Sequence, residues 1–400
     1  MVRCSVSDTD EKENGDMPLS AASPDGKPGS GEVFSETETV LPEWLDDCLS
    51  ELGAVYSPKN TRYQYTLDLS EPEVKVYLGT YFPRSYCEAF CIAGNLFTNS
   101  CYMASLRDAL ASFGEINILD IGCGTGGEII GLLDAIRKFL PSSVSVNVWA
   151  FDGNEISLRC MKQIAGVFRE RFGTDTEVRE KLWMIGSESD LAAMADEVNG
   201  IRFDFILCCK MGGELISGKV TDSPYSLVAE KFSGLLKPAG LLLILDVTIK
   251  LGDNGWLPVA MNHELNAFGR SQDEFGTLIP KPCGKYPECS CNCYTRQTFT
   301  VRHSGAEYDE SRVCYRIICR NSLREKMVPD SVMDASQVID HEKYYGPWRD
   351  AYPWSNGSCR HTGGKGEADG FDINLIPEET RGPAEDRNDA AGTGDGQSNG

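Results

Sequence analysis

Residues 116–133 read I-N-I-L-D-I-G-C-G-T-G-G-E-I-I-G-L-L, and this stretch decides the fold. Its apolar beginning predicts a buried strand, and its run of glycines predicts a tight turn that other side chains would strain. The apolar residues that follow recur at helical spacing: Ile129, Leu132, Leu133, Ile136 and Leu140. A strand, a glycine turn and a helix in this order form the opening unit of a doubly wound α/β sheet.

The glycine turn predicts a cofactor site, because a missing Cβ lets a ligand lie against the backbone. Gly122, Gly124 and Gly127 match the G-x-G-x-x-G pattern of dinucleotide sites, which is a weak signal when it stands alone. Asp120 precedes the first glycine by two residues. A carboxylate there would repel a pyrophosphate, but it suits a ligand that carries an amino group.

The stretch D-I-G-C-G-T-G-G closely resembles motif I of the class I methyltransferases. The resemblance implies S-adenosylmethionine as the cofactor, with Asp120, Gly122, Gly124 and Gly126 around its methionine end. It also implies a Rossmann-like seven-stranded class I methyltransferase sheet of the α/β class, in which the last strand is antiparallel.

Strands and helices alternate after the glycine turn, as this topology requires. Six further strands are predicted, at residues 144–152, 182–185, 203–209, 241–246, 298–302 and 312–320. The segment between the last two is long enough for a hairpin, so the last strand is expected to run antiparallel. NAD-binding Rossmann sheets do not usually end in this way, which favours S-adenosylmethionine over a dinucleotide.

Three charged residues at predicted strand ends complete the candidate cofactor site. Asp152 ends the second strand, where an acid typically accepts hydrogen bonds from a ribose diol; the alternative is a helix N-cap. Glu188 is one of three polar candidates for the adenine edge, with Ser187 and Asp190. Lys210 follows the fourth strand and lies with Glu214 near the expected methyl group, unless both are exposed loop charges. No catalytic residue is assigned.

The composition divides the chain into four parts. Residues 1–40 and 361–400 each carry three basic and nine acidic side chains, and the whole chain has a formal charge of −22. We predict a disordered acidic tail at 1–40, a helical cap at 41–113, the methyltransferase domain at 114–325 and a mostly disordered acidic tail at 326–400. The cap is expected either to close over the cofactor or to cover a sheet edge.

The N-terminus shows neither a signal peptide nor a transit peptide, and the longest apolar run is too short to span a bilayer. A cytoplasmic location without membrane contact is therefore expected, and the sixteen cysteines are expected to be reduced thiols or metal ligands. A broad basic surface for nucleic acid is not supported at this charge.

A cysteine-rich insert at 281–297 holds Cys283, Cys289, Cys291 and Cys293. This composition is typical of zinc or iron–sulfur sites, although free thiols are the alternative. Because neighbouring C-x-C thiolates are strained as ligands, we expect three of the four to bind. Cys319 is a candidate for the remaining ligand, since the end of the last strand is expected to return toward the start of the strand that follows the insert.

Several segments together resemble the Rsm-type methyltransferase-like proteins of the small ribosomal subunit. Residues 77–86, which contain Y-F-P-R-S-Y, resemble the segment that precedes motif I in that family, and P-C-G-K-Y-P-E-C resembles its cysteine element. The resemblance implies an iron–sulfur cluster, with Cys283 and Cys289 as its best-supported ligands, and a role in small-subunit assembly. The chain departs from the family in its tighter C-x-C-x-C packing and in lacking a mitochondrial presequence.

Three functions therefore stand as hypotheses. The first is a methyltransferase that acts on RNA or a ribosome-associated target, for which Lys285, Arg296 and Arg302 near the cysteines are the cue. The second is a small-molecule or protein methyltransferase, which the acidic composition favours. The third is a non-catalytic ribosome assembly factor with a cofactor-binding fold. The sequence identifies neither the methyl acceptor nor the oligomeric state.

Overall fold

The computed structural model describes residues 37–58, 67–251, 255–279 and 297–327. Nine strands within these ranges form one sheet in the order β1-β8-β9-β6-β5-β2-β3-β4, with β7 paired to β9 outside this path. The strands are β1 (Glu38–Val40), β2 (Glu115–Ile121), β3 (Ser145–Asp152), β4 (Thr176–Leu182), β5 (Phe203–Cys209), β6 (Leu236–Val247), β7 (Phe275–Ile279), β8 (Gln297–His303) and β9 (Ala306–Arg320).

Eleven α-helices and one short 3₁₀ turn lie among the described residues. The helices are α1 (Glu43–Glu51), α2 (Glu71–Thr80), α3 (Phe82–Thr98), α4 (Ser100–Phe113), α5 (Gly127–Phe139), α6 (Glu155–Phe172), α7 (Glu188–Glu197), α8 (Gly212–Ser217), α9 (Pro224–Phe232), α10 (Leu257–Ser271) and α11 (Asn321–Met327). None of these helices combines the length and apolar character needed to cross a membrane.

The predicted Rossmann-like α/β fold is confirmed. Strands β2 to β6 are parallel, and β9 is antiparallel both to β6 and to β8, with which it forms the expected hairpin. The central strands are buried on both faces, because helices cover both sides of a parallel sheet. The order of the strands reverses at β2 and β5: β3 and β4 are added on one side of β2, whereas β5 and β6 are added on the other, so the sheet has a switch point there.

The predicted number of seven strands is wrong, since β1 and β7 are added. β1 is only three residues long and pairs with β8, inside the stretch predicted as an N-terminal tail. β7 pairs with the last part of β9, whose fifteen residues extend beyond Gln297, the first residue of the antiparallel β8. Both strands are too short for sequence periodicity to reveal. The predicted tail at 326–400 begins inside α11, which ends at Met327; residues 1–36 and 328–400 lie outside the described residues.

The third predicted strand is displaced by several residues. Residues 182–185 were expected to form it, but β4 runs over Thr176–Leu182 with the sequence T-E-V-R-E-K-L. Among the described strands, β4 pairs only with β3 and lies at the edge of the sheet, where charged side chains replace the apolar run of a central strand. Residues 183–185 continue beyond the strand toward the carboxyl edge of the sheet.

The helices predicted as a cap pack against the sheet domain. α3 is buried along nearly all of its length and packs closely against α5. The approach depends on two glycines of α5: a Cβ on Gly127 would lie 2.8 Å from the Phe82 carbonyl oxygen, and a Cβ on Gly131 would lie 2.3 Å from that of Tyr86. α2 precedes α3 and brings Tyr77 to the carboxyl edge of β2.

Candidate functional site

A pocket opens at the carboxyl ends of β2, β3 and β5, beside the switch point of the sheet. Its empty volume, which includes the solvent space at the open mouth, is about 660 Å³. The residues that line it are Leu67, Tyr77, Gly122, Gly124, Phe151, Asp152, Gly153, Trp183, Ile185, Met194, Cys209, Lys210, Met211, Glu214, Leu215 and Val220.

The glycine loop forms one wall of this pocket. Gly122, Gly124 and Gly126 have φ angles of 73°, 52° and 88°, in the left-handed region that favours glycine. Backbone N–H groups of Gly122 and Cys123 donate to the Phe151 carbonyl oxygen at 2.8 and 3.0 Å, which ties the loop to β3. Gly122 and Gly124 line the pocket, whereas Gly126 caps the N-terminus of α5.

Asp152 lies between the glycine loop and the start of α6. Its Oδ2 accepts a hydrogen bond from the Gly124 N–H at 2.7 Å, and its Oδ1 accepts one from the Asn154 N–H at 2.8 Å. Burial raises the pKa of this carboxyl, while the two backbone hydrogen bonds oppose the rise. The N-cap of α6 is Asn154, so the alternative role for Asp152 as that cap is excluded. Each carboxylate oxygen keeps a lone pair for a ligand in the pocket.

Asp120 is a residue of β2 and does not lie within the turn. It pairs with Ala150 of β3 and Leu207 of β5, and its side chain is buried beneath the loop. Its Oδ2 has no hydrogen-bond partner among the described residues. Burial raises its pKa well above the usual range, and the charges of Glu128 and Asp152 raise it further.

Lys210 is held in a buried ion-pair network. Its Nζ lies 2.7 Å from Glu88 Oε2 and 3.3 Å from Glu128 Oε1, and it donates to Ser85 Oγ at 2.6 Å. Only 16% of its side chain is exposed, so the alternative of an exposed loop charge is excluded. Its φ angle of 62° is in the left-handed region, which marks a strained residue held by its surroundings.

Glu188 is not brought to the pocket. It is exposed in the first turn of α7. In the same turn, the carboxylate of Asp190 accepts hydrogen bonds from the loop that precedes the helix. Asp190 Oδ2 accepts from the Gly186 N–H at 3.0 Å and from the Ser187 hydroxyl at 2.8 Å. The pocket residues nearest this segment are Trp183 and Ile185, which were predicted as part of a strand.

Tyr77 and Met211 are pocket residues that sequence reasoning did not assign. A Cβ on Gly124 would lie 3.7 Å from the Tyr77 hydroxyl, and a Cβ on Gly122 would meet Met211 Sδ at 2.3 Å. The two side chains thus cover the glycine loop from α2 and from the turn after β5. The position of Tyr77 in the segment Y-x-x-x-Y-F-P could have indicated that it lies in the pocket. No sequence pattern indicates such a role for Met211.

Four of the predicted metal ligands, Cys283, Cys289, Cys291 and Cys293, lie outside the described residues. Cys319 is described: it is fully buried in β9, and burial raises the pKa of its thiol to about 12. No group of three metal-ligating side chains occurs within the described ranges. Cys319 was expected near the start of β8, and this expectation is wrong. β8 pairs with the first half of the long β9, so Gln297, at the start of β8, pairs with Val313. The start of β8 therefore lies nearer to Cys314 than to Cys319.

No family model and no curated protein matches the chain. Solved structures with a similar fold include a methyltransferase homologue from Pyrococcus horikoshii (16% identity, 70% of this chain and 99% of that chain, TM-score 0.32). Others are the plantazolicin methyltransferase BpumL with SAH (12%, 58% and 79%, TM-score 0.33) and the rRNA methyltransferase aviRa from Streptomyces viridochromogenes (14%, 60% and 88%, TM-score 0.29). At these scores and identities, the matched proteins do not determine the function of this chain.

Proposed function

We propose that this chain is an S-adenosylmethionine-dependent methyltransferase. The observation that carries the proposal is the acidity around the glycine loop: Asp152 accepts from the Gly124 N–H, Glu128 lies in the first turn of α5 directly after the loop, and Lys210 is the only cation among the described lining residues. Carboxylates at this place would repel a pyrophosphate, whereas they would attract the sulfonium and ammonium groups of S-adenosylmethionine.

Residues of the chain fit the parts of this cofactor. The unpartnered, buried Oδ2 of Asp120 is an acceptor that an ammonium group would satisfy. Asp152, whose carboxylate is oriented by two backbone N–H groups, would accept hydrogen bonds from a ribose diol. Trp183 and Ile185 offer an apolar wall for an adenine ring. When bound, the cofactor would supply an electrophilic methyl group on sulfur.

The first test is calorimetric binding of S-adenosylmethionine, SAH and NAD to the full chain and to Asp152→Asn. We expect the two sulfur nucleosides to bind and NAD not to bind. The variant loses a charged acceptor worth about 1.5–3 kcal/mol, so its affinity should fall by about ten- to a hundredfold. The matched control is Asp196→Asn, on the exposed surface of α7. Binding of NAD without binding of S-adenosylmethionine would contradict the proposal.

Turnover is tested with S-adenosylmethionine that carries a labelled methyl group and with fractionated cell extract. Label in RNA, in protein or in a small molecule would assign the acceptor class. Cofactor binding without label in any fraction would favour the assembly-factor hypothesis. The RNA or ribosomal partner, the iron–sulfur or zinc site and the cytoplasmic location stay predictions of the sequence.

A further inference from the structure

We propose that Asp246 is a positioning residue, which holds the α8 segment (residues 210–219) in the shape of a pocket wall before any ligand binds. Asp246 is the penultimate residue of β6 and does not itself line the pocket. The inference rests on the proposed function for the ligand that reports on the wall, and it concerns a carboxylate to which no part of the cofactor is assigned.

The α8 segment forms much of one side of the pocket. Four of its residues line the pocket: Lys210, Met211, Glu214 and Leu215. Met211 also lies against the glycine loop, since a Cβ on Gly122 would meet its Sδ at 2.3 Å. A shift of the α8 segment would therefore change the shape of the pocket next to the glycine loop.

Strained backbone marks both ends of the α8 segment. Lys210 and Lys219 have φ angles of 62° and 57°, and they are the only non-glycine residues with a positive φ among the described residues. Such a conformation is unfavourable for a residue with a Cβ, so it persists only where the surrounding structure holds it. The ion pairs of Lys210 with Glu88 and Glu128 hold the first end, and Asp246 holds the helix that follows.

Asp246 accepts three hydrogen bonds, all from uncharged donors. Its Oδ2 accepts from the Gly213 N–H at 3.1 Å and from the Tyr225 hydroxyl at 3.0 Å, and its Oδ1 accepts from the Val247 N–H at 2.8 Å. These bonds join the first turn of α8 to the end of β6 and to α9. The packing there is close, because a Cβ on Gly212 would lie 2.4 Å from the Tyr225 ring and 2.7 Å from Asp246 Oδ2.

A carboxylate at this position is costly for the folded chain. Only 1% of Asp246 is exposed, and burial raises its pKa from 3.8 to about 6, although the three hydrogen bonds oppose the rise. An asparagine would avoid the cost of a buried charge, but its single oxygen has only two lone pairs for the three donors. Local costs of this kind are expected where a group fixes the geometry of a functional site.

The first measurement is amide hydrogen exchange of the unsubstituted chain without ligand. Because the inference requires a wall that is ordered in advance, we expect the amides of residues 211–218 to exchange about a hundredfold or more slowly than in an unstructured peptide. Exchange of the α8 segment at the rate of an unstructured peptide would overturn the inference.

The second measurement compares the calorimetric affinity for SAH of variants at two buried aspartates. Asp246→Ala should lower the affinity about tenfold or more, whereas Asp246→Asn keeps an oxygen for the Gly213 N–H and should stay within about threefold of the parent protein. Asp204→Ala is the control: Asp204 is equally buried and accepts from a backbone N–H at 2.8 Å, but it lies at the amino end of β5. It should lower stability against urea and keep the parental affinity.

Parental affinity in Asp246→Ala would overturn the inference. An equal loss of affinity in Asp204→Ala would also overturn it, because lower stability alone would then weaken binding. If Asp246→Ala does not fold, Asp246→Asn decides: its amide exchange should rise in the α8 segment and not in α7, and an unchanged α8 segment would contradict the positioning role. A chain that does not bind SAH although its α8 segment is protected would contradict the proposed function and not the role of Asp246.

Discussion

At the scale of single residues, the structure depends on Lys210. Its substitution by methionine would keep the length of the side chain but leave Glu88 and Glu128 buried without their cation. Breaking a buried pair in this way costs about 3–5 kcal/mol. We therefore expect Lys210→Met to lower the free energy of unfolding by that amount, measured by urea denaturation.

Lys181→Met is the matched control, since Lys181 pairs with Glu197 on the surface and both side chains are more than 40% exposed. It should cost less than about 1 kcal/mol. Adding Glu88→Gln to Lys210→Met should recover part of the lost stability, because one uncompensated charge is removed. Equal effects of the two lysine substitutions would show that the network is not stabilising.

The residues that could be predicted from the sequence are those whose roles follow from local backbone geometry. The glycine loop and Asp152 lie next to strand ends, so spacing alone brings them together. The partners of Lys210 could not be predicted, since Glu88 belongs to a helix far away in the chain that packs on α5. Asp120 was recognised as important, but its burial under the loop depends on the packing of β3 and β5.

At the scale of elements, the close approach of α3 and α5 depends on glycine. Gly131→Ala would place a Cβ 2.3 Å from the Tyr86 carbonyl oxygen, so the helices must separate. We expect a loss of about 1–3 kcal/mol in thermal or urea unfolding. Gly166→Ala in α6 meets no atom within 4 Å and should stabilise the chain by about 0.4–1 kcal/mol. A neutral Gly131→Ala would contradict this account of the packing.

The start of α9 makes stability depend on pH. Glu264 accepts from the N–H groups of Tyr225 and Ser226 at 2.8 and 3.0 Å, and burial raises its pKa from 4.5 to about 7. Between these two values the folded chain binds the proton more tightly than the unfolded chain, so this group adds stability as the pH falls from 7 toward 4.5.

Glu264→Gln should remove that contribution. Its unfolding free energy, measured by urea denaturation at several pH values, should rise less than that of the parent protein as the pH is lowered from 7 to 5. Glu170→Gln should follow the parent curve, because Glu170 is exposed. An unchanged pH profile in Glu264→Gln would show that this carboxyl titrates alike in the folded and unfolded chains.

Elements were predictable where their patterns are long. β5 was expected at 203–209 and is observed at Phe203–Cys209, because a central strand carries a continuous apolar run. The sequence pattern does not reveal the bounds of β4, because this strand is polar, and it does not reveal β1, because this strand has only three residues. Whether such segments form strands depends on the strands that they pair with in the folded chain. The position of Cys319 depended on the pairing register of β9, which a sequence pattern does not contain.

At the scale of the whole molecule, the formal charge of −22 predicts that folding is opposed by repulsion between like charges. Raising the ionic strength from low values to about 0.15 M shortens the range of this repulsion to about 8 Å. We expect the midpoint of thermal unfolding to rise over this interval, equally with NaCl and KCl. A fall in the midpoint would mean that surface ion pairs outweigh the repulsion.

The polar edge strand β4 also bears on self-association. The unpaired backbone N–H and C=O groups of an edge strand can pair with a strand of a second chain, which is one route to aggregation. Charged side chains lie along β4, namely Glu177, Arg179 and Lys181, and Lys181 forms an ion pair with Glu197 of α7. A second chain would have to remove water from these charges before it could add a strand, so these side chains oppose amyloid-like growth at this edge of the described sheet.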